Sequence, residues 1–427
     1  MSHQNLSLDG IESPPPYQTT TSLETSSEKT SGSGKNVDIT CSAKGYEEGL
    51  RNYLKNILKS AIVQGLSTPV TFNEPLSQLQ RHAEDLEYAE LLNTAADLED
   101  SAKRMIYVAV FVYSKYASAS ELYSKSFNPL LGETYEYVDP KKGYRFVSEQ
   151  VSHHPPMLAL WAESKRWTYH GEAETKNTIH LNSIEIDHAG TWFLTLRLAD
   201  GTEELYTWKK PVATVKMHLV SGSPTIESYG PISVKNWTTG DVCTVDDFKI
   251  SSGSEIHGKI VDGYGKPRAE LSGNWNGTIT GNALEKSEKM HKDDIKTLYS
   301  ETPSMIWETN RQQLKKGDYT PFLAGLNDLS DRLKYFLPPT DTRLRPDQRA
   351  LENGQHAIAD IEKKRLEELQ RKRQLRRSED GLEYRPRWFS RRKCDVTGDV
   401  YSDFDGEYWR EREKNKGERW RGLENIF

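Results

Sequence analysis

Apolar positions in residues 46–65 recur at helical spacing: Tyr46, Leu50, Tyr53, Leu54, Ile57, Leu58, Ala61 and Ile62 share one side. Glu47, Glu48, Arg51, Asn52, Lys55, Asn56, Lys59 and Ser60 fill the other, Gly65 offers a stop, and Pro69 forbids continuation. Such a helix suits either an ordinary core contact or a movable, membrane-touching lid. Residues 76–120 keep a mostly helical texture. From about 134 to 280 the repeat shortens to two. Trp192, Leu194, Leu196 and Leu198 alternate with Phe193, Thr195 and Arg197, and Asp200-Gly201 turns the chain into a second run ending at Trp208. Similar runs at 179–186, 212–220, 248–250 and 255–261 follow without intervening helices, so the expectation is an antiparallel sandwich or barrel.

The last third reads as charged helices. One spans 324–337, ended by Pro338-Pro339, and a second spans 347–377. Eight basic residues stand against three acidic ones over 362–377. Trp388, Phe389, Tyr408, Trp409 and Trp420 give the final segment apolar bulk to pack against the strands. At the other end, residues 1–35 are dominated by Ser, Thr, Gly and Pro, bury too little to offset ordering entropy, and are expected to be disordered.

Charge and composition sharpen this outline. Over 427 residues, 57 Lys and Arg face 63 Asp and Glu, a formal net charge of −6 that argues against a generic nucleic-acid binder. Ten Trp, 21 Tyr and 11 Phe are enough to build a large core despite the polar average. Cys41, Cys243 and Cys394 form neither a disulfide framework nor a metal-binding pair. No apolar run reaches membrane-spanning length and no signal peptide opens the chain, which reads as cytosolic.

Two segments carry chemistry: KSFNPLLGET at 125–134 and EQVSHHPP at 149–156. Adjacent histidines before two prolines cannot sit inside a helix. At a strand end both rings can turn toward one anion, and either can take up a proton as a phosphate approaches. For His153-His154 alone, a pair of strand-end loop histidines with no ligand is the favoured reading. No G-x-S-x-G elbow or H-E-x-x-H helix accompanies them, so no enzyme chemistry, metal or cofactor is expected.

The EQVSHHPP string resembles the signature of the oxysterol-binding-protein-related lipid-transfer family. FNEPL at 72–76, NPLLGE at 128–133, LSGNW at 271–275, RLRPD at 343–347, and GEYWRER and NIF near the end follow in the family's order. The resemblance thus runs over residues 45–427. It implies a mainly β fold with helical additions: a large, near-closed antiparallel β-barrel enclosing a lipid tunnel, an N-terminal helical lid and a C-terminal helical subdomain. In this chain it implies one domain over 36–427 after the tail. Its parts are a lid at 36–70 whose apolar face is Leu50, Tyr53, Leu54, Ile57, Leu58 and Ile62, a helical segment at 71–125, the barrel at 126–300, and a helical region at 301–427.

The resemblance also implies a ligand, phosphatidylinositol 4-phosphate, held by its head group at the tunnel mouth. The matching positions are His153, His154, Lys125 and Asn128, with Lys363, Glu367 and Arg371 from the C-terminal helix. Residues four apart line one helical side and can address one phosphate, Lys and Arg as charge-assisted donors. Lys364, Glu368 and Lys372 have the same spacing, but the Gln370-Arg371 pair favours the first register. The second cargo is expected to be sterol. Phosphatidylserine, or a phosphoinositide-regulated sensor with little transfer, is the alternative. Transient contact with endoplasmic reticulum and Golgi, endosomal or plasma membranes follows from such a role.

Overall fold

The computed structural model describes residues 70–117, 125–179, 183–217, 224–249, 254–284, 303–311, 319–414, 420 and 422–427. The 1–35 tail and the lid positions Leu50, Tyr53, Leu54, Ile57, Leu58 and Ile62 lie outside them.

The FNEPL motif enters as a strand, β1 (Asn73–Ser77), rather than as the start of the expected helical segment. It pairs in parallel with β2 (Lys125–Phe127), and the Asn73 side-chain amide donates to the Lys125 carbonyl oxygen at 3.1 Å. Between them run α1 (Gln78–Ala83), α2 (Glu90–Asp97) and α3 (Ser101–Ser114). Asp100 caps α3 by accepting from the Ala102 and Lys103 amides.

Among the described residues, fourteen strands then form one antiparallel sheet. They are β3 (Thr134–Asp139), β4 (Tyr144–His153), β5 (Pro156–Ser164), β6 (Trp167–Ile179), β7 (Ser183–Ala189), β8 (Trp192–Arg197), β9 (Glu203–Trp208), β10 (Val212–Met217), β11 (Pro224–Asn236), β12 (Val242–Lys249), β13 (Glu255–Val261), β14 (Pro267–Asn274), β15 (Thr278–Ala283) and β16 (Ser304–Glu308). The long β6 meets β8 along its first half and β7 along its second, and β9 and β10 rejoin on β11 in the same way. Helix α1 touches β3 and β4 near one end of the strand order, while α3 touches β12–β16 at the other. These helices are joined by short turns, so the sheet must curl around them, and their buried faces share one core with its inner side.

Strand alternation decides which side chains enter that core. Tyr144 and Phe146 of β4 and Leu158, Leu160 and Ala162 of β5 point into it. Their neighbours Val147, Val151 and Ala159 face outward, yet they are buried as well. What covers them is the C-terminal region, through Trp388, Phe389, Phe404, Tyr408, Trp409 and Trp420. Its hairpin, β17 (Phe389–Lys393) with β18 (Val400–Phe404), and the final β16 show that residues 301–427 are not all helical.

The helices there are also shorter than periodicity suggests. Residues 324–337 divide into α4 (Pro321–Gly325) and α5 (Asp331–Phe336), because Ser330 caps a new helix by accepting from the Leu333 amide. Residues 347–377 divide into α6 (Pro346–Glu352) and α7 (His356–Glu379), parted at Gly354, whose φ of +70° leaves the helical region. The final helix is α8 (Glu407–Lys414).

Candidate head-group site at the β4–β5 turn

The register of β4 on β5 pairs His153 with Pro156, leaving His154 and Pro155, joined by a cis peptide bond, as the turn between them. At this strand end both rings project from one corner and meet edge to face, centroids 4.6 Å apart. His154 is exposed; His153 is partly buried. Burial and the neighbouring His154 ring hold the His153 pKa below the ordinary histidine value, with the Glu367 carboxylate acting in the opposite sense.

The NPLLGE segment is fastened beside this corner. Gly132, at φ +81°, donates its amide to the Gln150 carbonyl at 3.0 Å, and Gln150 returns a bond to the Glu133 carbonyl at 2.9 Å. The Glu133 side chain accepts from the Leu130 amide at 2.8 Å and from Arg345 at 3.0 Å. Arg345, fully buried, also grips Asp347 with two parallel bonds of 2.8 and 2.9 Å and donates to the Asn128 carbonyl at 2.9 Å. Burial raises the Glu133 pKa, and the Arg345 cation opposes that rise. Glu149, opening the signature string, accepts from the Arg387 and Trp388 amides at 2.8 and 3.0 Å and from the Tyr384 hydroxyl at 3.2 Å. Burial pushes its carboxyl up to about 7 against those three donors.

Helix α7 closes the site. Its inner side carries Ala359, Lys363 and Leu366. Lys363 donates to Glu367 at 2.8 Å with only 8 % of its side chain exposed, whereas Lys364, 68 % exposed, pairs with Asp360 in solvent. The competing register is therefore the outer side, where Lys372 pairs with Glu368. Lys125 stands close enough to Lys363 and Glu367 to feel both. Desolvation and the Lys363 cation lower its pKa, while Glu367 works against them.

Six side chains thus converge: Lys125, His153, His154, Lys363, Glu367 and one that from the sequence served only to set the helix register and was given no place in the site, Gln370. Its amide nitrogen lies 2.6 Å from His153 Nε2, and its amide oxygen accepts from the Leu131 backbone N–H at 2.9 Å. Gln370 follows Lys363 by seven residues, which returns it to within about 20° on the helix, and that spacing was the available signal. Arg371 stands about 80° from Lys363 and is exposed at the rim. Asn128 contributes its carbonyl to the scaffold through Arg345, and its side chain is exposed. Among the described residues, two lysines against one glutamate leave this corner positive, suited to an anion. Among the described residues no group of His, Cys, Asp and Glu is arranged to hold a metal ion, and no helix is long and apolar enough to cross a membrane.

Comparison with known proteins agrees with this architecture. The family model described as oxysterol-binding protein matches residues 53–413. Oxysterol-binding protein homolog 2 of Saccharomyces cerevisiae is 42% identical over 399 residues, covering 86% of this chain and 31% of the relative. The chain therefore spans about a third of the length of that relative. Among solved structures, the Osh1 ORD domain in complex with cholesterol superposes with a TM-score of 0.78 at 40% identity, covering 88% of this chain and 90% of that one. The Osh3 ORD of Saccharomyces cerevisiae in complex with PI(4)P gives a TM-score of 0.69 at 30% identity, covering 88% and 95%. With the family model spanning most of its length and relatives about 40% identical over most of it, the chain belongs to the oxysterol-binding protein family.

Proposed function

We propose that this chain is a non-vesicular lipid carrier that takes up phosphatidylinositol 4-phosphate at the β4–β5 turn and exchanges it for sterol between membranes. The observation that carries the reading is the convergence of Lys125, Lys363 and the His153–His154 pair, three chain segments brought to one positive corner at the end of the barrel strands. A phosphate there gains charge-assisted hydrogen bonds from two partly desolvated ammonium groups and imidazole N–H donors. Glu367 holds Lys363 and can accept from an inositol hydroxyl. Arg371 and the Asn128 side chain, both exposed, sit where a head group can recruit them as it enters. The similarity to sterol-bound and PI(4)P-bound domains supports one interior serving either lipid in turn.

No bond is made or broken in this cycle. A lipid held inside the sheet keeps its apolar surface from water, worth ~25 cal/mol per Å², and a membrane surface offsets that term at loading and release. The test is extraction of labelled phosphatidylinositol 4-phosphate from vesicles, followed by sterol transfer between two vesicle populations. The wild type extracts and the His153→Ala/His154→Ala variant does not. Equal behaviour of the two overturns the head-group assignment, and stoichiometric extraction with no sterol delivery turns the carrier into a sensor.

A further inference from the structure

We infer that Gln370 is a positioning residue that fixes the proton of His153 on Nδ1, so that His153 meets a phosphate as a neutral N–H donor. The inference rests on the head-group reading above and deepens it.

The geometry is set at Leu131. A backbone N–H can only donate, and this one points at the Gln370 amide oxygen at 2.9 Å. The orientation of the Gln370 amide is thereby set, because reversing it would bring its NH₂ against the Leu131 N–H. Its NH₂ must then face His153 Nε2, at 2.6 Å. Two donors cannot share that contact, so Nε2 carries the lone pair and the ring proton resides on Nδ1. Nδ1 is sheltered from solvent and has no hydrogen-bond partner among the described residues. A buried donor without an acceptor is costly, and a phosphate oxygen supplies the missing acceptor.

The surrounding charges are compatible with a neutral ring. Lys363 and Glu367 of α7 pair with each other, Lys125 of β2 lies beside them, and His154 shares the turn. A second proton on His153 would have to enter at Nε2 and break the bond from Gln370. The chain Leu131–Gln370–His153 therefore ties the NPLLGE loop, α7 and the signature turn into one unit, and the polarity of that unit is dictated by a main-chain donor.

The test is ¹H–¹⁵N long-range correlation spectroscopy on the ligand-free chain with labelled histidine, His153 being assigned by the signals missing from His153→Ala. At neutral pH the wild type shows the Nδ1–H form. Gln370→Ala lets the ring relax toward the Nε2–H form and weakens extraction from phosphatidylcholine vesicles doped with phosphatidylinositol 4-phosphate by about tenfold, the effect of losing one orienting hydrogen bond. Gln370→Glu presents an acceptor, so His153 takes a proton at Nε2 and titrates at higher pH, and extraction acquires that pH dependence. An Nε2–H signal in the wild type, or a form unchanged by Gln370→Ala, overturns the inference. The wild-type spectrum decides even where a variant fails to fold. An Nδ1–H signal with no extraction retires the phosphoinositide ligand and supports the proton assignment. Normal extraction with Nε2–H does the reverse.

Discussion

Removing Arg345 should damage this protein more than removing any surface cation. Its guanidinium makes four hydrogen bonds, two to Asp347, one to Glu133 and one to the Asn128 carbonyl, and both carboxylates are completely buried. Arg345→Ala leaves two buried carboxylates facing each other without a cation. Breaking one buried pair in this way costs ~3–5 kcal/mol, against a total stability of ~5–15 kcal/mol for a folded domain. Urea unfolding followed by tryptophan fluorescence should show the midpoint falling steeply at unchanged slope, since the surface exposed on unfolding is the same. Arg345→Lys keeps the charge, loses the fork, and falls between. Arg365→Ala, which removes an exposed pair with Glu362 on α7, should cost less than ~0.5 kcal/mol. The triple change Arg345→Met, Glu133→Gln, Asp347→Asn should recover much of the loss, because no uncompensated charge remains. An Arg345→Ala variant within ~1 kcal/mol of wild type, or no less stable than Arg365→Ala, would refute the reasoning that this ion cluster holds the NPLLGE loop.

Three further outcomes follow from the same geometry. Lys363→Ala should weaken extraction of phosphatidylinositol 4-phosphate by at least ~10-fold, while Lys364→Ala, on the solvated side of α7, stays within ~2-fold; in vesicle co-sedimentation, equal losses would refute the assignment and a larger loss for Lys364→Ala would reverse the helix register. Gly132→Ala should cost ~1–3 kcal/mol, because φ is +81° and the added Cβ would lie 2.8 Å from the Tyr384 hydroxyl; Tyr384→Phe in the same chain should recover part of the loss in thermal unfolding, and strict additivity would exclude the contact. His170 is buried between Trp161 and Phe193, and burial lowers its pKa to about 3. The unfolded chain takes that proton near 6.5, so stability is lost as pH falls from 6.5 toward 3, by up to ~1.4 kcal/mol per pH unit. His170→Phe keeps the ring stack and should flatten that part of a Tm-against-pH curve, whereas an unchanged slope would assign the acid sensitivity elsewhere.

How much of the fold the sequence carried depended on the range of the interaction that decides each element. The two-residue alternation of β8 and β9 is local, and both strands form where Trp192, Leu194 and Leu196 predicted them. The helices of the last third failed at points where local periodicity continues but a cap intervenes: Ser330 starts α5 afresh, and Gly354 separates α6 from α7. FNEPL looked like the start of a helical segment. It became a strand because Asn73 finds the carbonyls of Lys125 and Ser126, 52 and 53 residues away, a partner no local window contains. The near-continuous burial of β4 was equally hidden, since its outer side is covered by residues more than 200 positions later.

The candidate site divides along the same line. His153, His154 and Lys125 were visible because each lies within a compact motif whose residue order is its own signal. The register on α7 was ambiguous by one residue, because Lys363 and Lys364 are chemically identical neighbours and only their burial, 8 % against 68 % of the side chain exposed, separates them. Gln370 marked the register but was given no role in the site, for a different reason. An uncharged amide adds nothing to an electrostatic inventory, and its importance appears only when the partners of both its ends are known. One end meets a main-chain N–H that can only donate, the other a histidine nitrogen that must then accept. A charge count finds the residues that attract a phosphate. The residues that decide which atom of a histidine faces it are neutral, and they become legible only through hydrogen-bond direction.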